Sequence, residues 1–110
     1  MSHNRIAVIA GIGILILVTS VQLQAQAPGD SEALFKAKCA MCHGADAAGK
    51  TAMGAKLNIP DLRAPEVQKK SAADIAGIIA KGKNKMPGYE GKLTQDQISQ
   101  LEKYIHALKK

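Results

Sequence analysis

The pentapeptide Cys39-Ala40-Met41-Cys42-His43 carries the chemistry of this chain. Two cysteines three positions apart at the end of a helical turn present both sulfurs on one side, and the histidine that follows projects its imidazole beside them. That arrangement suits thioether bonds to the two vinyl groups of one haem, with His43 turned toward the iron. Three other chemistries use similar residues. A redox dithiol would follow a strand in a βαβ unit, and no strand signal precedes Cys39. A Cys39–Cys42 disulfide would close a tiny, strained loop. A zinc site would need a fourth ligand, for which only His106 is at hand besides His3, and His106 falls in a helix whose apolar pattern is complete without it.

An iron held by His43 has a second face to fill. Met41 lies inside the motif and cannot cross the ring, and Met53 follows in the next loop, where it could line a haem. Met86 sits in an irregular segment stiffened by Pro87. Its neighbours Lys83, Lys85 and Gly88 make a poor core, so ligation of iron by its thioether is expected over the ordinary gap-filling role of methionine. Pro60, in Asn58-Ile59-Pro60-Asp61-Leu62, is expected to offer its carbonyl to the other ring nitrogen of His43, fixing tautomer and ring plane. The alternative for Pro60 is a plain turn proline.

These residues need elements to hold them. Asp30 or Ser31 can cap a first helix that runs through Leu34 and Phe35 to Lys38 or Cys39. Residues 44–65 are rich in Gly, Ala, Asp, Lys and Asn and read as a wrapping loop without strand character. A short helical turn over 66–70 is expected after Pro65. Ser71 with Asp74 opens a helix whose Ile75, Ile78 and Ile79 share a face before Gly82 ends it. A second loop covers 83–93. Thr94 with Gln97 forms a capping box, and Ile98, Leu101, Ile105 and Leu108 mark a final amphipathic helix. The fold class is therefore all-α, three main helices plus a short one, with two loops of a length that compact domains keep when they wrap something.

The chain has 110 residues, which allows one small domain and excludes a two-domain enzyme, a large barrel or a solenoid. Residues 6–18 form an uncharged apolar run after Arg5, and Ala25-Gln26-Ala27 offers a small-x-small cleavage pattern. Residues 1–27 are read as a secretory signal peptide, with retention as a short membrane tether as the alternative, and 28–110 as the functional domain. After residue 27 large aliphatic residues are sparse and Phe35 is the single phenylalanine. A chain so short of core normally needs a cofactor, metal or disulfides to fold.

The formal net charge is +6. The lysines are dispersed and the aromatics are only Phe35, Tyr89 and Tyr104, which argues against nucleic-acid binding. Lys36 and Lys38 before the second cysteine, Lys50 and Lys56 after it, and Lys81, Lys83, Lys85 and Lys92 around Met86 instead suit an acidic protein partner.

On the motif at 39–43, Phe35 four residues before it, the Ile59-Pro60-Asp61-Leu62 stretch, Met86-Pro87, and a last helix with Leu101 and Tyr104, residues 30–110 resemble the class I c-type cytochromes, in particular the small bacterial monohaem branch. The resemblance implies a cytochrome c fold around one covalent haem c, with the first and last helices crossing where Phe35 meets Leu101 and Tyr104. Ser31 stands where that family often has glycine. An iron ligated on both faces has no open site, so the expected function is single-electron transport between redox partners in the periplasm by a monomer, rather than catalysis. A gas-binding haem protein and a redox dithiol protein are the competing functions.

Overall fold

The structure, a computed structural model, describes residues 28–108 together with Gly13. Apart from Gly13, the signal peptide expected over 1–27 lies outside the described residues. Six helical segments follow one another: α1 (Pro28–Lys38), α2 (Ala40–His43), α3 (Ala52–Leu57), α4 (Pro65–Gln68), α5 (Ala72–Lys81) and α6 (Gln95–Ala107). Among the described residues there is no strand beyond two isolated bridges, Lys83 with Met86 and Glu90 with Leu93.

The caps explain where the long helices begin. Ser71 accepts from the Asp74 N–H at 3.0 Å at the start of α5. At α6 the Thr94 hydroxyl accepts from the Gln97 N–H, while the Gln97 side chain accepts from the Thr94 N–H. Each such pairing satisfies a helix-end donor that would otherwise lack a partner. Gly82 ends α5 with φ of +79°.

Several boundaries differ from the sequence expectation: α2 adds a helical turn over the motif, and α4 spans Pro65–Gln68 rather than 66–70. Helix α1 starts at Pro28 rather than at Asp30 or Ser31, because proline is well suited to the first helical turn, where its missing N–H costs nothing. The 44–65 segment also contains a helix, α3. Thr51 caps it through the Gly54 N–H at 2.8 Å, and Asn58 closes it in the left-handed conformation.

Helix α6 is the centre of the bundle, packing against both α1 and α5. Phe35 and Leu101 are completely buried, and the Phe35 and Tyr104 rings meet at 5.2 Å with an interplanar angle of 44°. Burying a phenylalanine contributes about 2–3 kcal/mol, so the α1–α6 crossing anchors the fold. Ile75 and Ile79 from α5 and Ile98 and Ile105 from α6 extend the same core. Polar bonds close the lower end. Gln68 donates to the carbonyls of Leu62 at 2.7 Å and Ile105 at 2.8 Å, and His106 joins Glu102 and the Lys70 carbonyl.

Candidate functional site

Cys39 is the hinge between α1 and α2. Its N–H still donates to Phe35 at 2.8 Å, and its own carbonyl receives the N–H groups of Cys42 and His43 at 3.2 and 2.9 Å. The single turn of α2 thereby places Cys42 and His43 over the end of α1. Both cysteines are free thiols and half-buried. Burial, reinforced by Cys42, pushes the Cys39 thiol up to about 11, so it is protonated at neutral pH.

The chain then folds back onto the motif. The Gly49 N–H donates to the His43 carbonyl at 2.7 Å, and the Thr51 hydroxyl donates to the Cys42 carbonyl at 2.8 Å. Glycine is required at 49: φ is +71°, and a Cβ there would lie 2.7 Å from the Ile59 carbonyl oxygen and 3.3 Å from that of Pro60. Gly54 is equally constrained, since a Cβ would come within 2.1 Å of the Gly49 oxygen.

The His43 ring lies 6.4 Å from the Phe35 ring, and burial lowers its pKa, which favours the neutral imidazole. Its Nδ1 is buried and makes no hydrogen bond. The carbonyl of Pro60, expected from the sequence to accept from this nitrogen, therefore does not do so in this structure. Pro60 is exposed, and its carbonyl crowds Gly49 instead.

The three methionines beyond the first residue separate by burial. Met41 is 82% exposed and Met53, on α3, is 40% exposed, whereas Met86 packs against the hydrophobic core. Met86 is held by paired backbone bonds with Lys83, at 3.1 and 2.9 Å. That turn lies tight on the end of α5: a Cβ at Gly82 would sit 2.5 Å from the Met86 oxygen, and one at Gly88 would sit 2.7 Å from the Ala80 oxygen. Three residues on, the Tyr89 hydroxyl donates to the Lys38 carbonyl at 3.0 Å. Burial, and after it Cys39 and Cys42, raise its pKa above the ordinary phenol value. Sequence reasoning missed Thr51 and Tyr89, whose roles arise from carbonyls nine and fifty-one residues away.

The donor set fits a covalently bound haem: two free thiols three residues apart, and beside them a neutral imidazole with a buried, unpartnered nitrogen. Residues 26–105 match the family described as cytochrome c oxidase, cbb3-type, subunit III. The chain belongs to this family of c-type cytochromes. It is 29% identical over 98 residues to cytochrome c6 of Nostoc sp. (strain PCC 7120 / SAG 25.82 / UTEX 2576), covering 89% of this chain and 86% of that one. It is 36% identical over 86 residues to the cbb3-type cytochrome c oxidase subunit FixPc of Rhizobium leguminosarum bv. viciae, covering 74% of this chain but only 29% of that protein. Among solved structures, the KustC0563 c-type cytochrome superposes with a TM-score of 0.66 at 29% identity, covering 73% of this chain and 98% of that one.

This c-type cytochrome is thus a small helical haem c protein that carries electrons, and its cofactor is a covalently bound iron porphyrin. Among the described residues no helix is long and apolar enough to cross a membrane, and no cluster of three or more His, Cys, Asp or Glu offers a separate metal site.

Proposed function

We propose that Cys39 and Cys42 hold one haem by thioether bonds, that His43 and Met86 ligate its iron from opposite faces, and that the cytochrome moves single electrons between protein partners without transforming a substrate. The bound iron supplies a one-electron couple. The chain's own residues do the rest. Cys39 and Cys42 fix the porphyrin edge to the α1–α2 hinge. Gly49 and Thr51 hold the carbonyls of His43 and Cys42, which sets the backbone from which the imidazole projects. The Met86 thioether, neutral and partly buried, favours the lower charge of the reduced state.

The observation that carries this reading is the contrast among the methionines: Met86 alone of the candidates faces the core, while Met41 and Met53 lie open to solvent. Pro60 completes the reading as the acceptor for His43 Nδ1 in the haem-bound protein. Support comes from its carbonyl packing on Gly49, the residue that donates to the His43 carbonyl.

Residues 1–27 act as the export signal, which places the domain in the periplasm, and the partner is acidic around its own redox centre. Lys83 and Lys85 are exposed beside Met86 and suit such a surface. Lys36, by contrast, is engaged by Glu32 at 2.6 Å.

The test is the optical spectrum of the purified holoprotein, oxidised and reduced, with and without carbon monoxide. A far-red iron–sulfur band that Met86→Ala abolishes, together with indifference of the native protein to carbon monoxide, is the expected result. Ready carbon monoxide binding by the native protein would make it a gas-binding protein instead.

A further inference from the structure

The segment that carries Met86 leans almost entirely on one neighbour. Among the described residues its main-chain bonds either stay within the turn, as between Lys83 and Met86, or run to α5, as from Tyr89 N–H to the Ile79 carbonyl at 2.9 Å and from Glu90 N–H to the Ala80 carbonyl at 2.9 Å. One hydrogen bond leaves this set. The Tyr89 phenol crosses to α1 and donates to the carbonyl of Lys38, the residue immediately before Cys39. The Tyr89 backbone is itself immobilised, since its carbonyl receives the N–H groups of Lys92 and Leu93, both at 2.9 Å. The ring is partly buried against the core, with the Lys92 ammonium 6.0 Å from its centroid.

We infer that the Tyr89–Lys38 hydrogen bond is a clasp that positions Met86. It joins the segment bearing one proposed iron ligand to the helix end bearing the first attachment cysteine, so the two sides of the site are tied to each other and not only to the core. Tyr89 is a positioning residue: it acts through Met86 and touches neither iron nor partner. The inference rests on the reading of Met86 as the second axial ligand.

The consequence is kinetic. With the clasp formed, the three-residue tether between Tyr89 and Met86 restricts how far the thioether can retreat. Without it, the turn keeps only its bonds to itself and to α5, and the position that Met86 occupies opens more often. An external base such as imidazole reports this opening, because it enters the oxidised protein only when the methionine has left.

The experiment compares the native holoprotein with Tyr89→Phe, which keeps the ring and removes only the hydroxyl, and with Tyr104→Phe, which removes a phenol at the α1–α6 crossing. Imidazole binding is followed by stopped flow, the far-red iron–sulfur band by absorption, and thermal stability by circular dichroism. Loss of one such hydrogen bond should raise the imidazole binding rate of Tyr89→Phe about threefold to tenfold. The far-red band should persist at equilibrium, and Tyr104→Phe should bind at the native rate whatever its melting temperature. An unchanged rate in Tyr89→Phe overturns the clasp while leaving Met86 in place. An equal acceleration in Tyr104→Phe also overturns it, by showing that the effect is one of global stability. Absence of the far-red band from the native protein overturns the ligand reading and the clasp with it.

Discussion

The Thr51 hydroxyl donates to the Cys42 carbonyl at 2.8 Å and accepts from the Gly54 N–H at 2.8 Å, so one oxygen both fastens the cysteine motif and starts α3. Thr51→Val keeps the shape and removes both bonds. It should destabilise the holoprotein by about 1–2 kcal/mol, and Thr51→Ser should recover most of the loss, as measured by urea unfolding.

Gly82 turns the chain from α5 into the Met86 segment at φ +79°, a conformation that side chains avoid, and a Cβ there would meet the Met86 carbonyl at 2.5 Å. Gly82→Ala should cost about 1–3 kcal/mol and displace the Met86 backbone. Weakening of the far-red band in the oxidised spectrum would register that displacement, whereas a surface change such as Gly91→Ala, where φ is +82° but no atom lies within 4 Å, should lower stability without touching the band.

His106 faces acceptors with both ring nitrogens: Nδ1 meets the Glu102 carboxylate and Nε2 meets the Lys70 carbonyl at 2.9 Å. Only the imidazolium can donate to both. The bond to Glu102, and after it the one to the Lys70 carbonyl, raise the His106 pKa above its ordinary value. Because the folded state binds this proton more tightly than the unfolded chain, the stabilisation is fully present below about pH 6.5 and is lost as pH rises through the folded-state pKa. Unfolding free energies of the native protein and His106→Gln should therefore differ most in mild acid and converge toward alkaline pH. A difference that grows with pH would contradict the arrangement.

Cofactor removal should be felt as loss of structure. The core of the described residues has one phenylalanine, Phe35, and otherwise a modest set of aliphatic side chains such as Ile75, Ile79, Ile98, Leu101 and Ile105, and so small a core does not stabilise a chain of this size unaided. Cys39→Ala combined with Cys42→Ala should leave little helical, protease-resistant protein after expression with a haem-attachment system. Recovery of a normally folded, haem-free domain would show that the side chains suffice.

Charge reversal at Lys83 and Lys85 should slow electron transfer to an acidic partner at low ionic strength, by about tenfold or more for the double variant, and the native rate should fall with added salt. Equal rates for native and variant at low salt would remove this surface from docking.

The long helices were legible because each carries two agreeing signals, a cap and an apolar period: Ser71 with Ile75 and Ile79, and Thr94 with Gln97, Ile98, Leu101 and Ile105. The Phe35–Tyr104 contact followed from family resemblance, and ring geometry agrees with it. Helix α3 was not legible. Ala52-Met53-Gly54-Ala55-Lys56-Leu57 has no apolar stripe, and its glycine, unfavourable in a helix, is there because the Gly49 carbonyl passes too close for any Cβ. The motif at 39–43 announced its chemistry, yet the groups that hold it in place did not, because Thr51 and Tyr89 act on backbone carbonyls whose positions depend on the tertiary fold. For the same reason the expected bond from His43 to Pro60 could not be judged from spacing alone.

The crossing of α1 and α6 also ties the two sides of the site to one contact. Phe35 meets Leu101 and Tyr104 across most of the described domain, and the loop so closed contains both cysteines, His43 and Met86. Closing a long loop costs conformational entropy, so a substitution that loosens the crossing should loosen every residue of the site together.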